Sequence, residues 1–594
     1  MAFKAALDDF KFNLMDMGLL KPVQDLPGFE EVSDDIVTAV LEENARLVEE
    51  QIAPLNVIGD RQHAAWSDGQ VKTSPGFKEA FKAYTEGGWQ ALQHDSTYGG
   101  QNFPKLIAAI TSENLHSANI SFALCPLLTD GCVEAIMQAG SEEQKQKYIP
   151  PMLEGRWTGT MNLTEPQAGS DLALLKTKAV KQEDGTYRIS GQKIFITYGE
   201  HDMAENIVHL VLARTPDAPP GVKGISLFIV PKFLVNEDGT LGKRNDVWCA
   251  SIEEKLGLHA SPTTVLIYGD NKGEVGEGAI GYLVGEENAG LAHMFVMMNE
   301  ARFNVGVQGH ALAERAYQHA LAYAQERVQG NSVVDGKGPV AIVQHPDVQR
   351  MLHTMRALTQ GARATGLYTA MYQDLAHHHP DMALRKQYKA IQEYLVPIVK
   401  AFSTEMVIEA TSLGVQVHGG MGFIEETGAA QYFRDARITS IYEGTTAIQA
   451  NDFIGRKTLR DGGAVAKYFV TEMQKTVAEL KAQGDTQLGF IAEQLEQAVN
   501  AYQASIDEIL AMGSAGEMSA AFSGSVPFLM LAGYVHAGWQ LARAALVCEG
   551  KTEPFYKTKQ ATATFYAAHL LPRVAALATT LKSSRLVADL GFSA

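Results

Sequence analysis

The sequence predicts an α+β protein in which two helical regions flank a central β module in chain order, with a further helical region at the C-terminus. Three observations carry that reading. Apolar residues recur at three- and four-residue steps over 34–156. Short β-branched and aromatic runs bounded by Gly, Pro, Asp and Asn fill 157–284. The helical period then returns over 285–460 and again over 464–594.

The first region holds IVTAVLEENARLVEEQIAPL and an apolar cluster from Leu106 to Leu115. Turn signals at Tyr98–Pro104 and at Gly140 divide it, and Ser141 is placed to cap the backbone N–H groups of a following helix. The β module contains YRISG, KIFIT, IVHLVLA, GISLFIVP and TTVLIYG. Long helical patterns such as ALAERAYQHALAYAQERV and EYLVPIVKAFSTEMVIEATSLGVQV follow. Arg460-Asp-Gly-Gly463 marks a boundary, because paired glycines end a helix, and four more helical stretches complete the chain.

A chain of 594 residues exceeds one ordinary core, so several domains are expected. The net charge of −18 argues against nucleic acid, whose binding draws on Lys and Arg neutralising phosphate. Cys125, Cys132, Cys249 and Cys548 match neither a disulfide framework nor a metal site, so no metal and a reducing, cytoplasmic compartment are expected. Asp8, Asp9 and Asp16 interrupt the apolar N-terminus, unlike a signal peptide. The longest membrane-like run, Phe528–Val547, carries His536, Gln540 and Arg543 and is read as a buried helix, so no membrane span is expected.

Rossmann, Walker, nucleophile-elbow and H-E-x-x-H signatures are missing from the sequence. Glycine-containing polar turns stand out instead. Met161-Asn-Leu-Thr-Glu-Pro-Gln-Ala-Gly-Ser-Asp171 fixes a turn through Pro166 and Gly169 that offers N–H groups and small hydroxyls to a flat, polar-edged ligand. Gly191-Gln-Lys-Ile-Phe-Ile-Thr197 follows, then Gly281-Tyr-Leu-Val-Gly-Glu-Glu-Asn-Ala-Gly-Leu291, Arg302, Arg327, Gln416-Val-His-Gly-Gly-Met-Gly-Phe423 and Arg434-Asp-Ala-Arg-Ile-Thr-Ser-Ile-Tyr-Glu-Gly-Thr-Thr-Ala-Ile-Gln449. In this order the segments resemble the signatures of acyl-CoA dehydrogenases.

The resemblance implies N-terminal helical, middle β and C-terminal four-helix-bundle domains, with the extra helical domain of a longer bacterial branch, and FAD as cofactor. It implies flavin contacts from Met161, Leu163, Thr164, Gly169, Ser170, Phe195 and Thr197, with Phe195 shielding one ring face. Arg327 takes the place of an Arg that pairs with the FAD pyrophosphate, although Val-Gln-Gly after it departs from the family's aromatic-Gly ending. Gln416, Gly419 and Gly420 correspond to a turn that meets FAD held mainly by the partner subunit, and Thr445 is a further cofactor contact. Gly281–Leu291 resembles the family's hairpin before the long helices.

Glu443 corresponds to the base, with Ser170, Arg302, Tyr442 and Gly444 lining the acyl-CoA site. A carbon acid beside a thioester is weak, so such a base needs a dry pocket and a stabilised enolate. The resemblance supplies the second through the Glu443 N–H and a ribityl hydroxyl, and implies a 2,3-enoyl-CoA product, as in fatty acid β-oxidation. Electron-transferring flavoprotein is the expected acceptor and a homodimer or dimer of dimers the expected assembly. The substrate expected from the longer branch is a short or medium acyl-CoA, 3-methylmercaptopropionyl-CoA included. The alternatives are an acyl-CoA oxidase and a flavin-containing DNA-binding homologue; the second needs a basic C-terminal face, and no dense Lys/Arg cluster follows Gly463.

Overall fold

The computed structural model describes residues 3–591 as two compact units. Among the described residues one comprises 46–103 and 118–301; the other comprises 3–45, 104–117 and 302–591.

The first of these is organised by an eight-stranded sheet. Its order is Val247–Ile252, Thr263–Tyr268, Tyr187–Thr197, Ala279–Val284, Ser226–Pro231, Asn206–Ala213, Trp157–Asn162, with Lys178–Lys181 also paired to Tyr187–Thr197. All pairings are antiparallel except that of Trp157–Asn162 with Asn206–Ala213. Three adjacent strands, Ser226–Pro231, Asn206–Ala213 and Trp157–Asn162, are buried along their whole length. Burial on both faces explains the near-continuous apolar runs of Ser226–Pro231 and Asn206–Ala213. A core of Leu128, Val133, Ile136, Ile149 and Trp157 packs with Leu210 and Ile229 of the sheet. The helix Glu142–Leu153 begins as the sequence predicts: the Gln144 N–H donates to Ser141 Oγ and the Gln144 side chain accepts from the Ser141 N–H, a capping box. The expected hairpin at Gly281–Leu291 is not one. Ala279–Val284 pairs with two sequence-distant strands, and the chain then enters the helix Gly290–Glu326 through a loop.

The other unit is helical. Pro346–His378, Met382–His418, Ala429–Ala436 and Thr446–Ile454 are followed by the extension helices Ala464–Ala482, Thr486–Ser514, Ser525–Val547, Pro554–His569 and Arg573–Lys582. The extension is built into this core. Ser525–Val547 is buried for most of its length, which accounts for its apolar composition. A Cβ on its Gly533 would lie 2.5 Å from Cδ2 of Phe402, so glycine there permits the two helices to touch. Gly533→Val is accordingly expected to cost about 1–3 kcal/mol by overpacking. A fall in the thermal midpoint of the flavin-loaded protein checks this, and an unchanged midpoint contradicts the contact.

Among the described residues, the helix long and apolar enough to cross a membrane is Lys105–Ala139 rather than Phe528–Val547, and 78% of its most apolar stretch is buried. It is interrupted at Asn119 (φ −162°, ψ 95°).

Candidate active site

In the helical unit the loop between Ala429–Ala436 and Thr446–Ile454 carries Tyr442, Glu443, Gly444 and Thr445. Its backbone is unusual: Glu443 has φ +53° and Gly444 φ +89°. A non-glycine residue held there is strained, and such strain concentrates at functional sites. Gly444 has a second constraint, since a Cβ would lie 2.7 Å from Gln449 Nε2. The loop is closed by the Thr446 N–H donating to the Ser440 carbonyl at 3.1 Å. Among the described residues, neither the Glu443 nor the Gly444 N–H donates a backbone hydrogen bond.

The Glu443 carboxyl is half-buried. Burial pushes its pKa up, and the charges of Arg302 and Lys400 only partly oppose that push. Arg302, from the helix Gly290–Glu326, is 7% exposed and its Nε has no hydrogen-bond partner among the described residues. Lys400, from Met382–His418, is fully buried and donates to the Gly444 carbonyl at 2.7 Å. Sequence reasoning missed it: within LVPIVKAF nothing distinguishes a buried lysine from one whose stem merely lies along apolar surface.

Tyr442 faces inward. Its hydroxyl donates to Gln308 Oε1, Gln308 Nε2 lies 3.1 Å from His116 Nε2, and His116 Nδ1 lies 2.8 Å from the Ser112 carbonyl. Burial depresses His116 to about 4, so the ring is neutral. One tautomer satisfies the chain: Nδ1–H donates to Ser112 and Nε2 accepts from Gln308. The hydroxyl of Tyr442 thus anchors the loop to two helices. Thr445 Oγ1 caps Thr446–Ile454, accepting from the Ile448 N–H at 3.3 Å.

Elsewhere in the same unit, Arg327 is exposed and contacts Gln329 Oε1 at 3.4 Å. Gln416, Gly419 and Gly420 are exposed at the end of Met382–His418, and a Cβ on either glycine would meet nothing within 4 Å. These glycines leave an open backbone surface instead of filling a packing gap. Phe423 beside them is 85% exposed.

In the sheet-containing unit, the loop after Trp157–Asn162 is locked from below. Buried Glu165 pairs with buried Lys193 at 2.9 Å and accepts from Thr177 Oγ1 at 2.6 Å, while Lys193 Nζ also donates to the Leu163 carbonyl at 3.0 Å. The Ile194 N–H donates to the Thr164 carbonyl at 3.0 Å, tying the loop to the next strand. Met161 is buried, Leu163 and Thr164 are half-buried, and Gly169 and Ser170 are exposed. Glu165 and Lys193 stood inside the two motifs without an assigned role; only their pairing reveals that they hold the loop.

Phe195 is 58% exposed with φ +58°. The strand register explains this: Lys193 pairs with Leu266 and Ile196 with Thr264, so two residues oppose one and the strand bulges. A bulge re-aims a side chain, here turning Phe195 outward from the strand's apolar alternation. Thr197, half-buried, pairs with Thr263 at the strand end.

Similarity to known proteins covers nearly the whole chain. The acyl-CoA dehydrogenase N-terminal domain family matches residues 37–156, the middle domain family 160–270 and the C-terminal domain family 288–459. A family described as acetyl-CoA dehydrogenase C-terminal like matches 469–589. The 3-methylmercaptopropionyl-CoA dehydrogenase of Ruegeria pomeroyi is 51% identical, over 96% of each chain. A broad-specificity linear acyl-CoA dehydrogenase of Mycobacterium tuberculosis is 36% identical, again over 96% of each chain. The crystal structure of an acyl-CoA dehydrogenase complexed with FAD from Bacillus anthracis, 23% identical, covers 96% of this chain and 91% of its own with a TM-score of 0.73. A strained glutamate loop, a bulged strand presenting an aromatic ring and these full-length similarities agree: the chain belongs to the acyl-CoA dehydrogenase family.

Proposed function

We propose that this protein converts an acyl-CoA thioester to the 2,3-enoyl-CoA, with Glu443 taking the proton from the carbon next to the thioester carbonyl. The observation that carries the reading is Glu443 itself: a half-buried residue on left-handed backbone whose carboxyl burial raises in pKa against the opposing charges of Arg302 and Lys400. A base poised above the ordinary carboxylate range is better matched to a carbon acid. The Glu443 N–H, which has no acceptor among the described residues, is available to the thioester oxygen as negative charge develops there.

FAD is the cofactor of this reading, and when bound it supplies the hydride acceptor. The residues fit a flat, anionic-tailed group. Phe195 is an exposed aromatic face, Gly169, Gly419 and Gly420 leave space above their backbones, and Arg327 is an exposed guanidinium suited to a pyrophosphate. We assign Met161, Leu163, Thr164, Gly169, Ser170, Phe195, Thr197, Arg327, Gln416, Gly419, Gly420 and Thr445 to FAD. Ser170, Arg302, Tyr442 and Gly444 go to the acyl-CoA, Tyr442 through its ring and backbone because its hydroxyl is already engaged.

The preferred substrate in this reading is 3-methylmercaptopropionyl-CoA, supported by the name of the 51% identical relative. Electron-transferring flavoprotein is the acceptor, the location is cytoplasmic, and the domains divide at 34–156, 157–284, 285–460 and 464–594. Exposed Met421, Phe423 and Ile424 beside the Gly419–Gly420 turn support a homodimer or dimer of dimers that covers them.

Anaerobic bleaching of the bound flavin by a panel of acyl-CoA thioesters tests the reaction. Bleaching is expected, fastest with 3-methylmercaptopropionyl-CoA. A flavin that no thioester bleaches overturns the reaction, and a faster butyryl-CoA overturns the substrate alone. Fast reoxidation by oxygen would make the protein an oxidase.

A further inference from the structure

We propose that Lys400 is a positioning residue for the base: buried in the helix Met382–His418, it holds the Gly444 carbonyl and so fixes the strained backbone on which Glu443 stands. The inference rests on the reading of Glu443 as the base.

A fully buried ammonium is expensive unless paired. Among the described residues Lys400 makes no direct ion pair, and its side-chain donation goes to Gly444, the residue after Glu443. Its own helix supplies a second tie, because Glu405 accepts a hydrogen bond from Thr446 Oγ1. Residues 444–446 are therefore held at two points by one helix. Gly444 is the position where a carbonyl anchor matters most: with φ +89° beside φ +53°, the chain there has glycine's freedom to relax elsewhere. Release of the carbonyl lets the loop relax and carries the carboxylate with it.

Charge adds a second effect. Arg302 from Gly290–Glu326 and Lys400 from Met382–His418 face Glu443; Glu405, Glu443 and Arg302 face Lys400; and Asp452, paired with Arg456 at 3.4 Å, lies near Arg302. Lys400 is thus one of two cations that restrain the rise in the pKa of Glu443. Burial lowers its own pKa to about 8, with Glu443 and Glu405 acting against that fall. Removing the ammonium lets Glu443 rise further, so more of it is protonated at a given pH and the acid limb of activity moves upward.

The test is steady-state kinetics of the full-length, FAD-loaded protein with butyryl-CoA from acid to alkaline pH, for Lys400→Met and Lys400→Gln. Methionine removes donor and charge. Glutamine keeps a donor without charge. For Lys400→Met, kcat is expected to fall about 100-fold with KM within about threefold, as a misplaced base requires. Its acid limb is expected to move up by about one pH unit. Lys400→Gln is expected to recover about tenfold of the lost kcat while its acid limb stays displaced. A Lys400→Met protein with wild-type kcat and acid limb overturns the proposal. If that variant does not retain flavin, Lys400→Gln decides by its acid limb, and loss of flavin from both makes Lys400 a folding residue and also overturns it. Glu443→Gln run alongside separates the two failures. If it is active the base assignment falls; if it is inactive while Lys400→Met is unaltered, only the role of Lys400 falls.

Discussion

Glu443→Gln is expected to lower kcat by about 10³–10⁴-fold, the upper range for loss of a positioned general base, while acyl-CoA binding changes little. Glutamine fills the same volume but cannot take a proton from carbon. Glu443→Asp is expected to fall between, because drawing the carboxylate back by one methylene misplaces it by about 1 Å, enough for a loss of about 100-fold. The pH dependence follows from the direction of the shift. Burial raises the pKa of Glu443, and the reaction needs the ionised form. Activity is therefore present above the raised pKa and lost as pH falls through it, so the acid limb of kcat/KM lies above the ordinary glutamate value of about 4.3. The linkage to stability has the opposite sense. A carboxyl raised in the folded state destabilises that state as pH rises above the unfolded value, so removing the charge at neutral pH does not lower the melting temperature. Loss of turnover with an undiminished melt separates chemistry from folding. A Gln variant within tenfold of wild type would falsify the assignment of the base.

Much of the candidate site could be nominated from sequence because its residues lie close together in the chain. The loop from Arg434 to Gln449 carries the proposed base, a flexible glycine and a helix cap within a few residues. Ser141 and Gln144 were readable for the same reason. What stayed hidden depends on distant partners. The resemblance singled out Phe195, but its exposure could not be read from alternation, which cannot reveal a bulge that depends on the register with Thr263–Tyr268. The resemblance made 281–291 a hairpin, and only the pairing of its strand with segments far away in sequence shows that it is not one. Lys400 and Arg363 each sit in a helix as a lone cation, and only the residues brought against them from elsewhere in the chain show that neither is a surface charge.

Arg363→Met is expected to destabilise the helical unit by about 3–5 kcal/mol, the cost of leaving buried charges without their partner. Arg363, on the helix Pro346–His378, is fully buried and meets three carboxylates: Asp9 at 2.6 Å, Glu113 at 2.5 Å and Glu314 at 2.9 Å. Two further groups complete the cluster, His310 at 3.2 Å from Glu113 and Lys559 of the extension against Asp9. Arg363 serves as the hub because its planar fork can satisfy several oxygens at once, which a lysine cannot reproduce, so Arg363→Lys is expected to recover only part of the loss. The consequence for pH has a definite sign. Burial alone raises the carboxyls of Asp9 and Glu113, but their cationic neighbours outweigh it and hold both below the usual range. Groups lowered in the folded state contribute stability that is complete above the unfolded carboxylate value, about 4, and drains away as pH falls through their depressed values. Without Arg363 that depression is weakened and burial pushes both carboxyls up, so the deficit of Arg363→Met is expected to be largest at neutral pH and to shrink as pH falls and the carboxyls protonate. Because Lys559 belongs to the C-terminal extension, a chain ending before Ala464 also loses a cation from the cluster and is expected to melt early. Urea melts at neutral pH and near pH 5 measure each effect, and an Arg363→Met protein that unfolds with the wild type at both would show that the cluster contributes nothing.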